Sequence, residues 1–266
     1  RATLVATIES SGFNVCCSVT RINSLNNFLA LEKMRWIPLE SNPEVMNQFI
    51  SKLGIEDGWE FVDVYGLDPE LLAMVPKPVL AVMVLYPLSK KTEAQPLGEP
   101  VKNTSLMFIK QTIGNACGTV ALLHAVTNNQ DHLKFRDRSV LDQLIQTLKD
   151  LEPSERGEAM EREEILSTLH EDSAAMGQTE APEASSKTNL HFTCFVEHNK
   201  GLYELGNPYT YFLLFHFSDG RKNSPVYHGP SSPSTLLEDT GAVINRFIQR
   251  DPDNLNFTMV ALSKKP

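Results

Sequence analysis

Cys117 stands in Gln111-Thr-Ile-Gly-Asn-Ala-Cys117-Gly118-Thr119-Val120-Ala121-Leu122-Leu123-His124, where a turn of small residues passes into an apolar run typical of a buried helix. A cysteine there is placed for nucleophilic chemistry. The thiolate is the reactive species, and the positive end of a helix or a nearby imidazolium lowers a thiol pKa. Gly114 and Gly118 leave room for a substrate backbone to approach the sulfur, and the side-chain amide of Gln111 is a donor for an oxyanion. The alternative for the same residue is an inert structural cysteine, since free cysteine is among the most buried residue types.

A thiol nucleophile needs a base to take its proton and a third group to orient that base. Seven histidines are available. His124 lies two turns into the cysteine helix on an apolar stretch and is expected to pack. His132, His170 and His198 lie in polar or charged sequence, where a surface position is expected, and His216 sits inside an aromatic run with no catalytic cue. His191 opens the strand-like run His191-Phe-Thr-Cys-Phe-Val196, and an imidazole at the rim of a central strand is held stiffly, as a general base requires. His228, in Tyr227-His228-Gly229, is the rival and has the setting of a turn residue. The residues alone leave these two open.

The elements around these groups follow from pattern. Asn42-Pro43-Glu44 opens a helix with a side-chain cap and proline in the first turn. Residues 59–65 are strand-like, 69–74 a short helix, and 79–86 an apolar run of buried-strand length. A polar linker is expected over 90–102, amphipathic helices over 140–151 and 234–249, and a charged helical stretch over 153–176. A loop follows at 177–186, then strands over 190–197, 201–205, 225–228 and 255–262. Helices interleaved with strands early and an antiparallel meander late predict a mixed α/β (α+β) protein.

Composition narrows the class. The 266 residues are 41% hydrophobic and 21% charged, which suits one soluble domain with a sizeable core. Net charge is -9, so nucleic acid and anionic membrane are poor partners and a basic partner is steered in. The apolar runs are too short to span a bilayer. Four cysteines, with Cys16 and Cys17 adjacent, form neither a disulfide scaffold nor zinc-finger spacing. A reducing cytoplasmic setting is expected, with no metal and no cofactor.

The motifs Gln111-Thr-Ile-Gly-Asn-Ala-Cys-Gly-Thr119, Asn189-Leu-His-Phe192, Leu202-Tyr-Glu-Leu205 and Asp219-Gly-Arg-Lys222 together resemble the ubiquitin carboxyl-terminal hydrolase family of cysteine peptidases. Trp36-Ile-Pro-Leu-Glu-Ser-Asn-Pro-Glu-Val45, Gly177-Gln-Thr-Glu-Ala-Pro182 and Arg250-Asp-Pro-Asp253 are similar to its small single-domain members. The resemblance runs from about Met34 to the C-terminus and implies a papain-like fold, a central antiparallel sheet flanked by helices with a crossover loop over the active site at about 169–188. It implies Cys117 as nucleophile, His191 as base, Asp219 as orienting carboxylate and Gln111 as oxyanion donor. It also implies contacts from Pro38, Leu39 and Glu40 to ubiquitin or a ubiquitin-like modifier, with the enzyme acting as a monomer.

Two segments depart from the family pattern. Residues 1–33 precede the resemblance as an extension with no evident folded role, leaving 34–266 as the catalytic domain. Residues 206–218, Gly-Asn-Pro-Tyr-Thr-Tyr-Phe-Leu-Leu-Phe-His-Phe-Ser, stand where the family runs directly from Leu-Tyr-Glu-Leu into Asp-Gly-Arg. If this insertion loops out, Asp219 keeps its place and the chain is a deubiquitinating thiol hydrolase. If it replaces the native strand, Asp219 is displaced, and a ubiquitin-binding protein with little catalysis is the alternative.

Overall fold

Asn42 opens helix α1 (Pro43–Leu53) by accepting the Glu44 amide N–H on its side chain at 2.9 Å, with Pro43 in the first turn where a missing N–H costs nothing. Gly54, at φ 102°, closes the helix in the left-handed region. The computed structural model describes residues 35–102, 104–179, 189–206 and 224–266, which fall in the compact unit Arg35–Pro266. The extension 1–33, insertion residues 207–218, Asp219 after them, and residues 180–188 of the expected crossover loop lie outside the described residues.

After α1 the chain forms β1 (Trp59–Asp63), α2 (Pro69–Leu72), β2 (Val79–Pro87), α3 (Lys90–Ala94) and β3 (Glu99–Pro100). Four helices follow: α4 (Cys117–Thr127), α5 (Val140–Leu148), α6 (Pro153–Glu161) and α7 (Glu164–Ala174). The remainder is β4 (Leu190–His198), β5 (Gly201–Leu205), β6 (Val226–Pro230), α8 (Leu236–Arg250) and β7 (Thr258–Lys264). The described strands make one seven-stranded sheet in the order β1-β7-β2-β4-β5-β6-β3, with every neighbouring pair antiparallel. The fold is the expected α/β arrangement of an antiparallel sheet flanked by helices.

Strand β2 explains why its sequence is continuously apolar: it lies between β4 and β7, and both of its faces are covered. Ala81 and Met83 face the layer built from α1, α4, α5, α6 and α7, while Val82, Val84 and Tyr86 face α2 and α8. The alternation repeats in β4, where Phe192, Cys194 and Val196 meet the first layer and Phe195 the second. Helix α4 is buried from Gly118 to Thr127, which is why it is apolar around its whole circumference. Among the described residues, no helix is long and apolar enough to cross a membrane.

Two local expectations are corrected. The 90–102 linker contains α3 and β3. Helix α3 starts because the Ser89 hydroxyl accepts the Thr92 N–H, and the Thr92 hydroxyl accepts the Ser89 N–H in return. The charged stretch 153–176 is two helices, broken where Glu163 leaves helical geometry at ψ 89°. A continuous helix would set Met160 and Leu166 about 120° apart. The break lets both enter the same core.

Candidate active site

The first residue of α4 is Cys117, and the turn before it is held by the segment 35–40. The Trp36 amide donates to the Gly114 carbonyl at 2.9 Å, and the Asn115 side-chain amide donates to the Trp36 carbonyl at 3.1 Å. Asn115 itself sits at φ 63°, a conformation asparagine tolerates better than most side chains. Gly114 and Gly118 were expected to leave space for substrate; the space is taken by the chain's own neighbours. A Cβ at 114 would lie 2.7 Å from Arg35 Cγ, and one at 118 would lie 3.0 Å from Leu39 Cβ and 3.3 Å from Phe192 Cδ2.

That close approach brings the sulfur to the sheet. Gly118, next to Cys117, packs on Phe192, the residue after His191, and the Phe192 amide works against the burial that raises the Cys117 pKa. Strand β5 pairs with β4 only from Cys194 to His198, so the sulfur meets β4 in the stretch that has run past β5. His191 is buried, lies opposite Tyr86 on β2 and meets that ring edge-on at 6.0 Å. His228 instead lies on β6, two strands from β4, with its Nε2 2.8 Å from Glu204 Oε2 and its side chain wholly enclosed. It is a strand residue, not the turn residue expected, and its contacts are with the sheet interior. The strand that carries His191, and not the one that carries His228, therefore packs against the start of α4.

The thiol environment also differs from expectation. Cys117 keeps part of its surface open, yet burial of the sulfur pushes its pKa up; the amides of Phe192, Gly118 and Cys117 itself oppose this without overcoming it. The helix start was expected to lower the thiol pKa, but desolvation outweighs the local dipoles.

Gln111 is buried and donates from Nε2 to the Ile113 carbonyl at 2.9 Å, which fixes the amide plane within the turn ahead of Cys117. Of the segment 38–40, Leu39 is buried against Gly118, while Pro38 and Glu40 keep partial exposure. The Glu40 carboxylate accepts the Gln178 N–H at 2.6 Å. Only Pro38 and Glu40 therefore retain surface for a partner, because Leu39 is occupied by the helix start.

His124 packs as expected. The Ile109 N–H donates to its Nε2 at 2.9 Å, so Nδ1 carries the proton and donates to the Leu205 carbonyl at 3.0 Å. Burial lowers its pKa to about 4. His170 corrects the sequence reading: it is wholly buried, not on the surface. The neighbours Glu171 and Asp172 misdirect, but Leu166, His170, Ser173 and Ala174 form the one buried face of α7 at helical spacing.

A family model described as "Ubiquitin carboxyl-terminal hydrolase, family 1" matches residues 36–249. The ubiquitin carboxyl-terminal hydrolase of Aplysia californica is 44% identical over 223 residues, covering 83% of this chain and 98% of the relative. Ubiquitin carboxyl-terminal hydrolase 3 of Arabidopsis thaliana is 43% identical over 238 residues, covering 87% and 95%. The human isozyme L1 is 38% identical over 237 residues, covering 87% and 99%. Among solved structures, the Trichinella spiralis UCH37 catalytic domain bound to ubiquitin vinyl methyl ester superposes with a TM-score of 0.68 at 19% identity, covering 89% of this chain and 99% of that one. That likeness is one of fold.

Proposed function

The chain belongs to family 1 of the ubiquitin carboxyl-terminal hydrolases, and we propose that it uses Cys117 as nucleophile and His191 as base to cleave bonds at the C-terminal glycine of ubiquitin. His191 takes the thiol proton as Cys117 Sγ attacks the glycine carbonyl carbon. The oxyanion accepts hydrogen bonds from the Gln111 side-chain amide and the Cys117 backbone N–H. The tetrahedral intermediate collapses with the leaving amine or thiol protonated by the imidazolium, and a thioester remains. His191 then deprotonates a water that attacks the thioester, releasing the ubiquitin carboxylate and returning the thiol. Asp219, outside the described residues, orients His191 in this reading.

The observation that carries the reading is the close packing of the start of α4 on β4, where a Cβ on Gly118 would lie 3.3 Å from Phe192 Cδ2, because it sets the residue after Cys117 against the strand residue next to His191. The upward shift of the thiol pKa by burial is in the direction of a nucleophile that gives its proton to a base, the part His191 plays in this reading. Pro38 and Glu40 are the ubiquitin contacts on this reading, and a reduced thiol and acidic surface suit a monomer working in the cytoplasm. A ubiquitin-binding protein without turnover is not favoured, since the relatives matched over nearly their whole length are named as hydrolases.

The test is release of a fluorophore from the ubiquitin C-terminus. Wild type is expected to turn over, and Cys117→Ala to lose turnover while still binding ubiquitin by titration. Undiminished hydrolysis by Cys117→Ala would end the mechanism.

A further inference from the structure

Both ring nitrogens of His170 are engaged, and their partners determine its tautomer. Nε2 lies 2.6 Å from the Ile37 carbonyl, which only accepts, so Nε2 carries the proton. Nδ1 in the neutral ring is then an acceptor, and the Thr119 hydroxyl 2.7 Å away donates to it. Trp36 covers the imidazole at 4.3 Å between ring centroids.

These bonds close a circuit. Thr119 is the third residue of α4, two past Cys117. From Thr119 the path runs to His170 on α7, to the Ile37 carbonyl, along the chain to Trp36, and back to Gly114 and Asn115 beside Cys117. The turn before the nucleophile is therefore held from the segment 35–40, and the helix after it is tied through His170 to the same segment. Without His170 the buried Thr119 hydroxyl and Ile37 carbonyl lose their partner, and the two sides of the turn are no longer linked.

We propose that His170 is a positioning residue for the hydrolase: it acts through Thr119 and Ile37 to fix where the Cys117 sulfur and its own amide sit. This rests on Cys117 being the nucleophile. The donor and acceptor of a glutamine amide are spaced much as the two ring nitrogens are, so Gln is the conservative replacement, whereas Phe fills the space and offers neither.

The experiment compares wild type, Cys117→Ala, His170→Phe, His170→Gln, Thr119→Val and Thr119→Ser on the ubiquitin C-terminal fluorogenic substrate, below each variant's unfolding midpoint. The pH dependence of iodoacetamide labelling, followed on the peptide containing Cys117, reports the thiol pKa. His170→Phe and Thr119→Val are expected to lower kcat roughly tenfold with KM nearly unchanged, since displacement of a reacting group by about 1 Å costs ~100-fold. They should also raise the labelling pKa, as the amides lose their aim on the sulfur. His170→Gln and Thr119→Ser should recover most of kcat. A folded His170→Phe or Thr119→Val with wild-type kcat and labelling pKa overturns the proposal, as does an effect confined to KM. If His170→Phe does not fold, Thr119→Val decides. Failure of wild type to turn over, or activity in Cys117→Ala, defeats the nucleophile assignment instead and is read separately.

Discussion

Gly118→Ala tests whether close packing at the start of α4 sets the position of the sulfur. The backbone there is helical, so alanine is not strained and gains roughly 1 kcal/mol of helix propensity over glycine. Its methyl would lie 3.0 Å from Leu39 Cβ, about 0.4 Å inside the 3.4 Å at which ordinary contact begins, and 3.3 Å from Phe192 Cδ2. Overpacking of this kind costs about 1–3 kcal/mol. The net loss of stability is therefore about 0–2 kcal/mol, a fall in Tm of at most ~8 °C for a chain of this size. Relief requires α4 to back away from β4 by a few tenths of an ångström, and that movement carries Cys117 Sγ away from the Phe192 amide. If 1 Å costs ~100-fold, 0.4 Å costs roughly sixfold in kcat. Thermal unfolding and fluorogenic turnover on the same sample separate the two effects. A Gly118→Ala protein with a modest Tm shift and kcat within twofold of wild type would show that the tight approach does not position the thiol.

Glu40→Ala removes the acceptor of the Gln178 N–H, a charge-assisted bond on the partly exposed surface worth about 1 kcal/mol. Amide exchange at Gly177 and Gln178 should accelerate roughly fivefold; unchanged exchange would mean that the carboxylate does not anchor this segment. Stability should also depend on pH through His124 and His170, each held at a pKa of about 4 by burial. Between pH 6.5 and 4 the unfolded chain binds protons that these native rings refuse, so stability falls as pH falls. The slope is about 1.4 kcal/mol per pH unit for each ring. Denaturant midpoints at pH 7.5, 6.5 and 5.5 check this, and a midpoint that does not decline from 6.5 to 5.5 refutes it.

Much of the fold was legible because its signals are local. Asn42-Pro43 caps a helix by its own chemistry, and an apolar run of strand length such as 79–86 has few destinations other than the middle of a sheet. The place of Cys117 as the first residue of a helix was legible too, since a turn of small residues passes into an apolar run there. What escaped depends on residues distant in sequence. Gly118 looked like room for substrate because nothing nearby in the chain announces Leu39 and Phe192. The thiol pKa was misjudged for the same reason: a helix start is visible in sequence, whereas the packing that desolvates its first side chain is not. His228 was expected in a turn because Gly229 follows it, while the Glu204 that holds it lies on another strand. His170 was hidden by acidic neighbours on the opposite face of its own helix.

The order of the sheet has a consequence for biosynthesis. Strand β2 finds its neighbours in β4 and β7, which follow it by about 100 and about 170 residues. At roughly 5–20 residues per second, a nascent chain presents this wholly apolar strand without either ladder for several seconds or more after it leaves the ribosome. The interval favours capture by a chaperone. On the proposed mechanism it also keeps the peptidase silent, since the base His191 belongs to β4 and cannot be delivered before that strand is made.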